Sequence, residues 1–211
     1  MAIPRRSAAT CPQEEGQIDV RRVVTGHDAN GKAVFVSEGR VAPTTPALLG
    51  GFAVHKLWGA DEPPRLPDDG SLPSYTSYFP PVGGIRFKSV TFPPHLPPHP
   101  DAGFGEDLDI DAAVAELDGL FPGLAQHMEP GGAGMHTSAT VDIGVVLAGE
   151  VVLELDDGAT VTLRAGDTVV QNGTRHRWSN PGDVPAVLVG FEWGVPHERV
   201  TGSGPERRLT R

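Results

Sequence analysis

The chain has 211 residues, and its 27 glycines and 21 prolines are well above ordinary usage. This composition favours many turns and short strands, and it argues against a helical bundle or a coiled coil. The net charge of −10 argues against nucleic acid or an anionic membrane surface as a partner. The single cysteine, Cys11, leaves no second thiol for an internal disulfide.

The first ten residues lack the apolar segment of a signal peptide, and no run approaches 18 apolar residues. We therefore expect a soluble cytoplasmic protein that binds neither nucleic acid nor membrane. The length suits one domain with a flexible tail over residues 1–16 and a second tail over residues 197–211.

Three strands are predicted in the N-terminal part of the chain. The valine-rich segments 20–24 and 33–36 flank Asn30-Gly31, which supplies the positive φ angles that a tight hairpin needs. Phe52–Trp58 is predicted as the third strand. Its alternation places Phe52, Val54, Lys56 and Trp58 on one face.

A loop, a strand and a helix follow. Residues 59–83 are rich in proline and glycine and are predicted as a surface loop. Ile85–Phe92 alternates apolar and polar residues, which is typical of a half-buried strand, and a Pro-rich loop follows over residues 93–100. One short helix is predicted, with Asp109 as its N-cap and Gly119 near its end.

From Gly134 onward the sequence predicts short strands rich in valine and leucine, with glycine or proline in the turns between them. Such regular spacing is typical of an all-β sandwich or barrel. The barrel is assigned to residues 85–196, and residues 17–84 are expected to contribute N-terminal strands and a Pro-rich loop that pack on it. The strands of residues 19–58 are expected to be added to the sheets of the barrel. The predicted strands are Val141–Leu147, Glu150–Leu155, Thr160–Leu163, Thr168–Gln171, His176–Ser179 and Ala186–Trp193.

Two histidines and a carboxylate in this β block form a candidate metal site. His136 and Asp142 lie in the string GMHTSATVD, and His176 lies in QNGTRHRWSN. A closed barrel points alternate residues inward, so distant residues of the sequence converge inside it. Two imidazoles and one carboxylate suit a divalent transition metal that must still bind substrate or water. Spacing alone leaves open that both histidines are structural and that Asp142 is a turn residue.

These residues resemble the two motifs of the cupin family. The first motif runs G-x5-H-x-H-x(3 or 4)-E-x6-G, and His136, Asp142 and Gly149 fall on its leading histidine, its glutamate and its closing glycine. The second motif runs roughly G-x5-P-x-G-x2-H-x3-N. The resemblance covers residues 131–193. The matches to the second motif are Gly166, Gly173, His176 and Asn180.

Three positions depart from the motifs: Ser138 replaces the second histidine, Asp142 replaces glutamate, and Gln171 replaces proline. The resemblance implies an all-β cupin barrel (a double-stranded β-helix or jelly roll) with extra N-terminal strands and one short helix. It also implies one divalent transition metal (Fe, Mn, Ni or Zn) on three ligands, His136, Asp142 and His176. The protein would then be a metal-dependent enzyme acting on a small organic molecule.

Five further residues are expected near this metal. A substrate pocket is assigned to Trp178, Ser138, Gln171 and Val146. His127 lies upstream of the first motif and is a candidate for replacing the missing histidine or for donating a hydrogen bond to a ligand.

Lyase-type chemistry, such as decarboxylation, dehydration or isomerisation at a metal-bound carbonyl or carboxylate, suits this site. One alternative is an Fe(II) dioxygenase, because two histidines and a carboxylate leave three coordination positions free. Another alternative is a non-catalytic small-molecule-binding cupin, in which Ser138 marks a degenerate metal site.

Two physical expectations complete the sequence analysis. Residues 19–58 contain more apolar strands than one barrel needs, which predicts a homodimer that covers them. Imidazoles must be neutral to ligate, so metal affinity is expected to fall below roughly pH 6, close to the reference pKa of histidine.

Overall fold

A computed structural model describes residues 18–96, 109–130 and 134–198. The predicted tail over residues 1–16, the predicted C-terminal tail apart from residues 197–198, and residues 97–100 of the second Pro-rich loop lie outside these ranges.

Ten strands and two α-helices lie in the described residues, and each predicted strand and the predicted helix is confirmed. A 3₁₀ turn over Asp156–Gly158 joins two of the strands. The strands are β1 (Arg21–His27), β2 (Ala33–Arg40), β3 (Ala53–Ala60), β4 (Ile85–Phe92), β5 (Thr140–Ala148), β6 (Glu150–Glu154), β7 (Thr160–Arg164), β8 (Thr168–Asn172), β9 (Arg177–Ser179) and β10 (Ala186–Gly194), and the helices are α1 (Ile110–Leu120) and α2 (Leu124–His127).

Two antiparallel sheets enclose the core, which confirms the all-β prediction. One sheet has five strands in the order β3-β4-β10-β5-β8, and the other has three in the order β7-β6-β9. Val54 and Val146 of the larger sheet pack in one hydrophobic cluster with Val151 and Leu163 of the smaller sheet. Each strand therefore presents one face to the interior, where candidate site residues can meet.

The N-terminal hairpin corrects one expectation. β3 joins the large sheet as predicted, but β1 and β2 pair only with each other in a separate two-stranded sheet. Gly31 adopts a φ of 76° in the turn between them, as the Asn-Gly prediction requires. The hairpin is held to the body of the protein by Arg22, whose Nη1 donates to the Leu57 carbonyl at 2.9 Å.

Strand β3 carries a second correction. Its alternation was predicted to run unbroken to Trp58, but a β-bulge interrupts the pairing with β4 between Lys56 and Trp58. Lys56 lies opposite Lys88, whereas Trp58 lies opposite Phe87 and not opposite the next residue of the same face. A bulge adds one residue to one strand, so the alternation changes there.

Helix α1 begins as predicted, since the Asp109 side chain accepts a hydrogen bond from the Ala112 N–H at 3.1 Å. The short helix α2 was not predicted, because four residues are too few to show helical periodicity. It follows Gly123, whose φ is 82°. His127 therefore ends a helix and does not lie on a strand. Among the described residues, no helix has the length and apolar character needed to cross a membrane.

Candidate functional site

His136 and His176 lie side by side, with His136 half-buried and His176 buried. Their backbones pair in an isolated antiparallel bridge, with both N–H to carbonyl distances at 2.9 Å. The ring centroids are 4.2 Å apart, and His176 is 3% exposed. The structure therefore brings together the two predicted imidazole ligands, which are 40 positions apart in the sequence.

One nitrogen of each ring is held by the backbone. Nδ1 of His136 lies 3.0 Å from the Gly134 carbonyl, and Nδ1 of His176 lies 2.9 Å from the Thr174 carbonyl. A carbonyl only accepts hydrogen bonds, so each neutral ring carries its proton on Nδ1 and a lone pair on Nε2. Metal-ligating histidines are oriented in this way.

Both rings are neutral at physiological pH. Burial and the neighbouring imidazole of His176 lower the pKa of His136 to about 3. Burial also lowers the pKa of His176 below its ordinary value. Neutral imidazole is the form that binds metal, so the site needs no proton loss from either ring near pH 7.

Asp142 lies on β5, between Glu192 of β10 and Gln171 of β8. Burial, together with the carboxylate of Glu192, raises the pKa of Asp142 to about 7. Its buried Oδ1 atom has no hydrogen-bond partner in the described part of the chain. An unpaired buried carboxyl oxygen is costly, which fits an atom that awaits a cation or a hydrogen-bond donor.

A buried ion pair lies beside Asp142. The Lys88 ammonium is 2.7 Å from Oε1 of Glu192 and lies 3.5 Å from the centre of the Tyr78 ring. Burial opposes the positive charge of Lys88, but the Glu192 carboxylate and the Tyr78 side chain together outweigh it and raise the pKa of Lys88. Oε2 of Glu192 is buried without a hydrogen-bond partner among the described residues.

Lys88 and Glu192 were not predicted as site residues. Polar residues of β4 were interpreted as its solvent face, but Arg86 and Lys88 are buried there and Phe87 is exposed. Glu192 lies in the apolar run at the end of β10, where an acidic residue is the one signal that could have marked it.

The donor chemistry at this site fits a divalent metal. Two Nε2 lone pairs and one unpaired carboxyl oxygen are ligands that first-row ions accept. Within residues 18–96, 109–130 and 134–198, however, no three His, Cys, Asp or Glu side chains group as ligands around one point. The structure pairs His136 with His176 and places Asp142 beside Glu192. The three-ligand set therefore stays a prediction.

His127 and Ser138 both have partners near the imidazole pair. Nδ1 of His127 lies 2.8 Å from the Gly123 carbonyl, and its ring lies 4.6 Å from that of Phe79. Phe79 in turn lies 6.0 Å from His136. Ser138 is fully buried, and its hydroxyl hydrogen-bonds that of Thr140 at 2.7 Å.

Two of the other predicted pocket residues, Gln171 and Trp178, lie near His176. Gln171 donates to the Thr174 carbonyl at 3.0 Å and to its hydroxyl at 2.6 Å, and this is the carbonyl that holds the His176 ring. Trp178 lies edge-on to His176 at 6.1 Å. Val146 is buried in the hydrophobic core. Contact between these residues and a substrate stays a prediction.

Part of the chain is similar in sequence to known proteins. Residues 124–194 match the model of the family described as Cupin domain. Phomopsin biosynthesis cluster protein C' of Diaporthe leptostromiformis is 29% identical over 161 residues, which are 75% of this chain and 69% of that protein. A cupin-domain-containing oxidoreductase of Neurospora crassa is 28% identical over 168 residues, which are 80% of this chain and 69% of that protein. Among solved structures, a predicted oxalate decarboxylase of Thermotoga maritima is similar, with a TM-score of 0.39 and 14% identity over 74% of this chain and 94% of that one.

Proposed function

Because this chain belongs to the cupin superfamily, we propose that it is a metal-dependent enzyme acting on a small organic molecule inside the barrel. The observation that carries the proposal is the pair of neutral imidazoles at His136 and His176, each fixed through Nδ1 with its Nε2 lone pair available. Two histidines with a purely structural role would not both need an available Nε2 lone pair.

His136, His176 and Asp142 are the residues that would hold the metal. Fe, Mn, Ni or Zn, when bound, supplies a Lewis acid for a carbonyl or carboxylate oxygen of the substrate and, in the case of Fe(II), a site for O2. Asp142 must lose its proton to ligate, and the nearby Lys88 ammonium favours that loss. The imidazoles require no such change.

The remaining residues orient the site. Thr174 fixes the His176 ring, and Gln171 fixes Thr174 through two hydrogen bonds. Trp178 supplies an apolar wall beside the same ring and keeps water from it. Because Ser138 stands where the motif has a histidine, one coordination position of the metal would be left for water or a substrate oxygen.

The class of reaction is the finer part of the proposal. Lyase-type chemistry needs only the polarised oxygen and a proton exchanged with an acid–base group beside it. The names of relatives favour an oxidoreductase as the second candidate, since proteins of Neurospora crassa and Aspergillus ruber are called cupin-domain-containing oxidoreductases. Consumption of O2 with turnover separates the two classes.

The experiment is metal analysis of the full chain purified without a histidine tag. We expect about one equivalent of Fe, Mn, Ni or Zn in the wild type and its loss in His176→Ala, which leaves one imidazole. His27→Ala is the matched control, because His27 lies in the separate hairpin and should not affect metal content. Circular dichroism should show that both variants keep the barrel.

Two results would contradict the proposal. Full metal content and activity in His176→Ala would show that the ligand assignment is wrong. A wild-type protein that holds no metal and resists reconstitution would favour the non-catalytic binding barrel.

A further inference from the structure

A cavity of about 210 Å³ lies at the β3 edge of the large sheet, and none of His136, Asp142 and His176 lines it. β3 and β4 contribute one side, and residues 75–78 and 119–122 contribute the others. Its volume equals that of roughly seven water molecules, which is room for a ligand with one ring and too small for a nucleotide or a peptide.

Three cationic side chains line this cavity, whereas no acidic residue of the described ranges does. Arg86 is paired with Asp61 at 2.6 Å, and Lys88 is paired with Glu192 at 2.7 Å. Lys56 forms no ion pair with any carboxylate in the described ranges. In the part of the chain that the structure describes, one positive charge of the cavity wall therefore has no counter-ion.

The position of the Lys56 charge is electrostatically unfavourable. Lys56 and Lys88 are direct cross-strand partners in β3 and β4, and like charges at opposed positions destabilise a sheet. The chain has three lysines in all, and two of them form this pair. Partial burial and the charge of Lys88 lower the pKa of Lys56, which agrees with a cation that lacks compensation. A bound anion would supply it.

The walls indicate what kind of anion fits. An ammonium has three N–H donors, and Lys56 uses one on the Leu120 carbonyl at 2.7 Å. Two donors remain for a carboxylate. The rest of the lining is rich in aromatic rings, which offer flat apolar surface to a ring of the ligand. These are Trp58, Tyr75, Tyr78 and Phe121.

We propose that this cavity is a binding site for a small aromatic carboxylate, held by the Lys56 ammonium at its acid group and by the aromatic walls at its ring. The site goes beyond the proposed metal centre, because binding here needs no metal. Tyr78, Phe79 and Lys88 separate the cavity from the imidazole pair, since Lys88 contacts both rings and Phe79 contacts His136.

A purely structural role for Lys56 makes a different prediction. Its bond to the Leu120 carbonyl satisfies a group at the C-terminal end of α1, where a cation is favourable. In that case substitution of Lys56 lowers the stability of the protein and leaves ligand binding unchanged.

The test is isothermal titration of the full chain, freed of metal by a chelator, with benzoate. Benzyl alcohol keeps the ring without the charge, and acetate keeps the charge without the ring. We expect benzoate to bind at least tenfold more tightly than either. Equal affinity for benzoate and benzyl alcohol, or no benzoate binding at all, would overturn the proposal without any variant.

Three variants locate the site. Lys56→Met should weaken benzoate at least tenfold, since it removes a charge-assisted hydrogen bond and keeps the apolar stem. Lys56→Arg should restore most of the affinity, and Lys32→Met, in the exposed turn of the hairpin, should not alter it. Thermal unfolding of each variant shows whether it remains folded.

His176→Ala separates this proposal from the metal site. Benzoate binding should persist in that variant, whatever its metal content. Loss of benzoate in His176→Ala with retention in Lys56→Met would place the ligand at the imidazole pair and overturn the cavity assignment.

Discussion

Two buried cations lie two residues apart on β4, and their surroundings differ. Arg86 is 2% exposed, and its guanidinium donates to the Asp61 carboxylate at 2.6 Å and to the carbonyls of Ala60 and Ser77 at 3.0 and 2.9 Å. The Tyr75 ring stacks on it at 4.1 Å. The hydrogen bonds of this region are complete.

In the region around Lys88, by contrast, the hydrogen bonds are incomplete. Its partner Glu192 keeps one oxygen without a hydrogen bond, and so does Asp142 beside it. Buried polar groups in folded proteins are nearly always paired, and an unpaired one costs roughly 1–3 kcal/mol. Arg86 therefore has a full set of partners, whereas the Lys88 region keeps unpaired carboxyl oxygens, which fits our proposal that a ligand binds there.

The first prediction tests the complete region. Arg86→Met should lower the free energy of unfolding by about 3 kcal/mol, because it leaves a carboxylate and two carbonyls without their donor. Urea unfolding followed by circular dichroism measures this loss. Arg21→Met is the control, since its ion pair with Glu38 is exposed and should contribute less than about 1 kcal/mol. Equal losses in the two variants would remove the distinction between a buried cluster and a surface pair.

The sequence could predict the strands but not which polar residues of β4 face inward. The Gly-bounded runs after Gly134 and the Asn30-Gly31 hairpin follow from local turn chemistry, so their positions were correct. The strand predicted over Ile85–Phe92 was also correct. Its polar face was taken as the solvent face, because burial of Arg86 and Lys88 depends on Asp61 and Glu192, which are distant in the sequence.

The candidate site was predicted in part for the same reason. The motif spacing identified His136 and His176, and the structure places them in contact. The spacing could not reveal that Glu192 lies opposite Asp142, since this depends on the register of β10 against β5. Nor could it place His127 at the end of a four-residue helix. Tertiary pairing, which no local pattern encodes, decided these details.

The second prediction tests the incomplete region. The pKa of Asp142 is raised from 3.8 to about 7 in the folded protein, so its ionisation costs stability as the pH rises through that interval. Asp142→Asn cannot ionise, and it should stabilise the metal-free protein by about 1–3 kcal/mol at pH 8 and by almost nothing at pH 4. Thermal unfolding at the two pH values measures the difference. A change in stability that is the same at both pH values would show that the charge of the Asp142 carboxylate is not the cause.

The third prediction concerns metal retention and revises the expectation from the sequence. The His136 ring stays neutral far below pH 6, because its pKa is lowered to about 3, and burial lowers the pKa of His176 as well. Asp142 must instead lose a proton that it holds up to about pH 7. Metal affinity should therefore fall about tenfold per pH unit below 7, as expected for competition with one proton.

Competition titrations with a chelator between pH 5 and 8 measure this dependence. Asp142→Asn should bind metal more weakly and show little change in affinity between pH 6 and 8. A midpoint near pH 6 in both proteins would return the dependence to the imidazoles and remove Asp142 from the ligand set.

The smallest expected effect on stability concerns the outer face of the large sheet, where apolar side chains are exposed. Phe87, Phe191, Ile143 and Val170 are successive cross-strand partners from β4 to β8, and Ile143 is 54% exposed. We propose that a second copy of the chain covers this row, since contiguous exposed apolar surface of this kind marks an interface.

Light scattering should then give twice the chain mass of 22.2 kDa. Ile143→Arg should yield the monomer and change the stability of each chain by less than about 0.5 kcal/mol, because the position is on the surface. Phe35→Arg is the matched control: Phe35 is 69% exposed on the separate hairpin, where the sequence alone placed the dimer contact. If Phe35→Arg dissociates the dimer and Ile143→Arg does not, the hairpin is the interface, and the apolar outer row needs another explanation. A wild-type mass of one chain at micromolar concentration would remove the dimer altogether.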